Sequence, residues 1–311
     1  MNSRNTFLLL AIILLMVFVW ALLSPEENLS LKVSKKIQEQ KQKSDLFMKG
    51  AIFSESVGGI KFWEIKAITS FINKSTQKAE MNDIHGTFFK NGTPSLKIIA
   101  PKVFWDMKNK SIEVISPVGY EEKSRFETAS LVWSLDDKKI TAKEKIVFER
   151  DNVVITAGSM KADTELEKMV LQNRPVAVIR SKGLTDIDVR AKVFEVNARN
   201  GRISAAGEAV LKRGGLMIKS NEILYDAKEN LLFARGGTSV YHKDITARCF
   251  AVRYNIKSEV VSLFDKVVLK RGRSELNGDR IDINIKDETI SIKGRNSRAV
   301  IEEELVTFEA K

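Results

Sequence analysis

The chain has 311 residues, with 51 Lys and Arg against 40 Asp and Glu, a formal charge of +11. Hydrophobic residues make up 43%, enough for a sizeable core, and five prolines and 17 glycines exclude collagen-like or low-complexity chain. One cysteine, Cys249, excludes a disulfide framework or a thiolate metal cluster, and His85 and His242 stand alone without a ligand set around them.

Residues 7–23 are an uncharged apolar run of 17 residues. As a helix the run is about 25 Å long, near the short end of what crosses a bilayer. A cleavable signal peptide has a shorter apolar region and a small-residue cleavage site. Val19-Trp20-Ala21 is a weak match to such a site, so the run is read as an uncleaved transmembrane helix, with residues 1–6 as a cytoplasmic head. Residues 24–60 are polar and rich in Lys, Gln, Ser and Glu, and predict a tether.

From Lys61 onward apolar and polar residues alternate, which places apolar side chains on one face of successive strands. Val103-Phe104-Trp105-Asp106 leads to Ile112, Trp133-Ser134-Leu135-Asp136 to Ile140, and Met160-Lys161-Ala162-Asp163 to Met169. A fainter copy is Ser70-Phe71-Ile72-Asn73 with Ala79. The steps between these Asn/Asp anchors (73, 106, 136, 163) are uneven.

The second half repeats more strictly. Phe194-Glu195-Val196-Asn197, Ile223-Leu224-Tyr225-Asp226, Val252-Arg253-Tyr254-Asn255 and Ile281-Asp282-Ile283-Asn284 put anchors at 197, 226, 255 and 284, a step of 29. Six residues past each anchor stands Ile203, Leu232, Val261 or Ile290. Asn and Asp are turn formers, so each unit predicts strand, tight turn, strand and a second hairpin. Eight units, four regular and four degenerate, predict an all-β stack.

The inward positions of these units are Val103, Trp105, Trp133, Leu135, Met160, Phe194, Val196, Ile203, Ile223, Tyr225, Leu232, Val252, Tyr254, Val261, Ile281 and Ile283. They fit a packed core or the lining of an apolar trough. Basic clusters at Lys212-Arg213, Lys270-Arg271-Arg273 and Arg295 with Arg298 fit a solvated rim or attraction to an anionic surface. Asp106, Asp136, Asp163 and Asp226 could suggest paired carboxylates for glycoside hydrolysis. Their recurrence at one point of the repeat assigns them to turns instead. With no phosphate cradle, nucleophile elbow or metalloprotease motif, the reading is a non-enzyme with no catalytic residue, metal or cofactor.

Trp63-Glu64-Ile65-Lys66-Ala67, Asp83-Ile84-His85-Gly86-Thr87-Phe88-Phe89 and Gly92-Thr93-Pro94-Ser95-Leu96-Lys97-Ile98-Ile99-Ala100 resemble the start of the LptC family, the membrane-anchored periplasmic subunit of the lipopolysaccharide export machine. The resemblance continues through Phe126–Trp133, Lys145–Arg150 and Ile155–Asp163, covering about residues 61–180. Residues 181–311, with Asn277-Gly278-Asp279-Arg280-Ile281-Asp282-Ile283-Asn284, resemble the soluble LptA/OstA-like bridge family. An ordinary LptC ends where the first half ends here, so this chain departs from the family by carrying both.

The resemblance implies an elongated open β-jellyroll, a folded-over antiparallel sheet whose groove carries lipopolysaccharide acyl chains. It implies an inner-membrane ABC transporter complex of LptB/LptF/LptG type as one partner. An LptA-like bridge protein or an outer-membrane LptD-type protein, joined by edge-strand addition, is the other. The Ile281–Ile292 copy followed by 297–308 is the expected C-terminal edge, and nucleic acid is not an expected partner. The rival readings are an anchored structural or adhesive β-roll with a closed core that binds protein or glycan, and an exported carbohydrate-active enzyme.

Overall fold

The computed structural model describes residues 45–90, 92–164, 166–293 and 298–300. The expected transmembrane helix at 7–23, the head and residues 24–44 lie outside these, as does most of the 297–308 edge. Among the described residues every regular element is a strand, every pairing is antiparallel, and no helix is long and apolar enough to cross a membrane.

Four long strands open the sheet: β1 (Leu46–Val57), β2 (Ile60–Asn73), β3 (Lys78–Lys90) and β4 (Thr93–Asp106), each paired with the next. The next strands are short and come in twos. β5 (Ser111–Ile115) and β6 (Val118–Glu121) share β4, while β7 (Ser124–Glu127) returns on β6 and β8 (Ser130–Ser134) on β5. The long β9 (Lys139–Arg150) then takes both β7 and β8 and pairs with β10 (Val153–Asp163).

The same doubling recurs. β11 (Lys168–Gln172) and β12 (Val176–Ile179) share β10. β13 (Ile187–Arg190) pairs with β12 and β14 (Val193–Asn197) with β11, and β15 (Arg202–Arg213) takes both. β16 (Leu216–Asp226), β17 (Leu231–His242), β18 (Ile245–Asn255), β19 (Val260–Arg271) and β20 (Ser274–Asn284) follow in series. β21 (Thr289–Lys293) and β22 (Arg298–Val300) share β20.

The doubled strands reveal two leaves. Pro117 separates β5 from β6 and Pro175 stands between β11 and β12, where a residue without an N–H interrupts the ladder. Where a strand runs through unbroken, a register shift takes the place of the gap: Ala206/Ala209, Lys219/Glu222, Arg235/Thr238, Arg248/Ala251 and Phe264/Val267. Bulges bend a strand, and Gly207 and Gly236 supply the left-handed backbone they need, at φ of 79° and 89°. Each long strand therefore gives one half to each leaf, and the sheet folds over along the line of bulges. A single apolar cluster fills the fold from Trp63 to Ile283.

Two sequence expectations change. The tether expected over 24–60 ends earlier, because residues 46–57 form β1. Phe47 packs on Phe71 at 4.9 Å between ring centroids and Ala51 is buried, contacts hidden in the sequence by the interleaved Lys49 and Glu55. The anchor of the third unit is Ser134, not Asp136. Ser134 ends β8, its hydroxyl donates to Asp137 at 3.0 Å, and Ile140 then falls six residues on, as in the other units. Near residue 180, where the two resemblances meet, the sheet continues unbroken, since Ile179 pairs with Ile187 and β11 with β14.

Candidate functional site

Each unit is built by one register rule. The residue before the anchor faces the residue six after it: Ile72 opposite Ala79, Trp105 opposite Ile112, Trp133 opposite Ile140 and Ala162 opposite Met169. The rule continues as Val196–Ile203, Tyr225–Leu232, Tyr254–Val261 and Ile283–Ile290. The anchors close the turns through their side chains, as the sequence pattern required. Asp106 Oδ1 accepts from the Asn109 N–H at 2.9 Å, Asn255 Oδ1 from Lys257 and Ser258 at 3.1 Å, and Asn284 Oδ1 from Lys286 at 3.0 Å.

The sixteen inward positions all lie between the leaves. Fourteen are buried, and Trp105 and Leu135 are half-buried against the same cluster. At the first-half end the interior is aromatic. Trp63 meets Trp105 and Trp133 edge-on at 6.4 and 6.0 Å, Phe53 meets Trp105 at 5.9 Å, and Phe88 packs on Trp133 at 5.1 Å. Trp63 donates to Glu55 at 2.7 Å, but the buried indole N–H groups of Trp105 and Trp133 have no acceptor. Trp63 and Phe88 were absent from the sequence-derived lining because they precede the first clear copy of the repeat. From Phe194 onward most of the row is aliphatic or small, with Ala205, Ala209, Ala234 and Ala247 beside the aromatic Tyr225 and Tyr254.

The leaves are packed against each other. Clefts of about 20 Å³ beside Trp133 and about 10 Å³ between Phe194 and Tyr225 remain between them. These hold about one water molecule each and no hydrocarbon chain. The open groove expected from the sequence is, along these stretches, a filled interior. A wider cleft of about 750 Å³ opens to solvent by Phe71, Ala79 and Phe104, with Trp105 in its wall.

A seam closes the fold where tight hairpins of one leaf meet anchored turns of the other. Lys90, beside the β3–β4 hairpin, bonds Glu167, and Lys243 of the β17–β18 hairpin bonds Glu288. Tyr225 donates its phenol to Asn152 of the β9–β10 hairpin at 3.4 Å. Arg213 makes the deepest bridge. Its Nε donates to the Thr185 carbonyl at 3.1 Å, and its Nη1 to the Tyr254 phenol and to the Ile256 carbonyl at 3.0 Å. The Lys90 hydrogen bond holds the Glu167 carboxyl below its usual range, and Lys243 does the same for Glu288. Burial raises the phenols of Tyr225 and Tyr254.

Arg213 overturns one of the two sequence readings of its cluster, the solvated rim shared with Lys212. Lys212 is exposed, but Arg213 is only 6% exposed. The signal was present: Ala209, Leu211 and Arg213 alternate onto the inner face. Sixteen residues past the next anchor, as Arg213 is past Asn197, stands His242, also buried, with neither ring nitrogen bonded.

A family model described as lipopolysaccharide-assembly, LptC-related, matches residues 8–180, more than half of the chain. The chain belongs to this LptC-related family. A second model, LptA/(LptD N-terminal domain) LPS transport protein, matches residues 188–289, so this LptC-related chain carries an LptA-type region in the same sheet. No curated protein matches it. Among solved structures it is similar to LptH from Pseudomonas aeruginosa, described as the LptA homologous periplasmic component of the lipopolysaccharide transport device. That likeness is 15% in identity, with a TM-score of 0.35, and covers 38% of this chain and 95% of the other.

Proposed function

We propose that this LptC-related chain is a membrane-anchored periplasmic component of the lipopolysaccharide export bridge, passing lipopolysaccharide between its two leaves. Lipid would enter from an inner-membrane ABC transporter of LptB/LptF/LptG type and leave toward the outer membrane. The observation that carries this reading is continuity: one sheet and one apolar interior run through the LptC-type and LptA-type regions without a gap at 180–188. A conduit requires such an uninterrupted apolar path, because each CH₂ returned to water along the way costs about 0.8 kcal/mol. Loading requires the leaves to part, with the acyl chains inside and the anionic head at the seam, beside Lys90, Arg213 and Lys243. Residues 7–23 would anchor the chain. Edge strands at β1 and at β21 and β22 would take up a transporter strand and an LptA-like or LptD-type strand, since an unpaired edge templates another chain.

The test is photo-crosslinking in cells from Trp105, Trp133, Val196 and Tyr254 with the export apparatus active. Lipopolysaccharide adducts from both halves are expected, and their complete absence would refute the reading. The filled interior favours one rival, an anchored structural roll whose core never opens. That rival expects core truncations to lower stability while the outer-membrane lipid stays unchanged.

A further inference from the structure

Arg213 and His242 form one polar spot inside an apolar wall. They flank Leu216 on three neighbouring strands, since Arg213 pairs with Leu216 and Leu216 with His242. Both side chains are more than nine-tenths buried. Both have hydrogen-bonding capacity left unused: Nη2 of Arg213 and both ring nitrogens of His242 have no partner. The Glu259 carboxylate stands 3.8 Å from Nη2, an ion pair outside hydrogen-bonding reach. A buried guanidinium with an unfilled donor is costly, and here it joins two edges of the sheet that share no ladder. Asp244 and Glu288 also border this spot, but Arg271 and Lys243 already bond them.

We infer that Arg213 is a phosphate-operated latch on the seam: the phosphomonoester of an anionic amphiphile replaces Tyr254, Ile256 and Glu259 as its partner and frees the two leaves to part. A phosphate fits because it presents several anionic acceptors to a guanidinium that can bind two at once. The hydrogen bonds lost, to a phenol and a carbonyl, join a charged group to neutral ones, and the Glu259 pair lost with them is too long at 3.8 Å for a hydrogen bond, whereas the bonds gained are charged on both sides. His242 would donate to the same anion. The latch rests on the conduit reading and adds where and by what chemistry the conduit opens.

The test places spin labels across the seam at the exposed positions Lys212 and Lys257, as K212C and K257C in the full-length chain with C249A. The chain is held in dodecyl maltoside micelles and titrated with dodecyl phosphate. The expected result is a label separation that grows by about one strand spacing, ~5 Å, with dodecyl phosphate and not with added dodecyl maltoside. R213Q should be open from the start and indifferent to phosphate. Y254F, which removes a single oxygen, should open at about tenfold lower dodecyl phosphate, the scale of one charge-assisted hydrogen bond, and keeps the test decisive where R213Q fails to fold. A constant separation, a phosphate response persisting in R213Q, or an unshifted Y254F midpoint each overturns the latch. Lipopolysaccharide crosslinks at Val196 alongside a constant separation would retain the conduit and remove only the latch.

Discussion

An indole and a thiol carry the sharpest expectations at the scale of single residues. The Trp133 N–H is buried with no acceptor, a deficit of about 1–3 kcal/mol, and its ring is held by Trp63 and Phe88. Trp133→Phe removes the orphan donor and keeps an aromatic ring. The thermal midpoint should stay within a few degrees of wild type, whereas Leu232→Ala should lose about 2–5 kcal/mol; parallel thermal melts compare the two. Cys249 is buried, and burial pushes its thiol from the ordinary 9.0 up to about 11. Between those values the unfolded chain gives up a proton that the folded chain keeps. Stability is therefore fully present below pH 9 and falls as pH rises through that window. Cys249→Ala should lack this component when midpoints are measured across the alkaline range. The turn anchors were legible because Asn and Asp have a local job, bonding a backbone N–H two or three residues on, and local jobs repeat with the chain. Arg213 was misread because charge suggests solvent, and the parity of the strand it ends was given less weight than its chemistry.

Among elements, the short doubled strands are most sensitive to volume. Gly119 of β6 faces Phe126 of β7, and a methyl group on Gly119 would come within 1.9 Å of the ring. Gly119→Ala must displace a buried aromatic, so a loss of about 1–3 kcal/mol is expected. Faster hydrogen exchange across β6 and β7 with β5 and β8 unchanged would place the effect in one leaf, and exchange equal to wild type would refute it. The leaves themselves were only half legible. Alternation gave the inner face, but the fold-over depends on bulges such as Arg235/Thr238, where burial keeps its parity across the shift. β1 went unseen for a related reason: its inward Ala51 is small, and its outward Ile52 is 62% exposed and breaks the expected polar face.

At the scale of the molecule, a stack of units that touch mainly their neighbours should tolerate removal of a whole repeat. Deleting residues 227–255 leaves an anchored turn joined to β19 in the same register, and the shortened chain should fold with a modestly lower midpoint. Deleting 227–241 shifts strand polarity and should yield protease-sensitive material; equal protease resistance of the two deletions would contradict the register rule. The seam was the least legible feature, because its bridges join residues 41 to 77 positions apart and follow no sequence period. Because every unit turns its chain back at both edges, adding a copy advances the stack by two strands, or ~10 Å. The fold is thus a gauge with a fixed graduation. Copying a unit lengthens the stack in whole increments and leaves its cross-section unchanged.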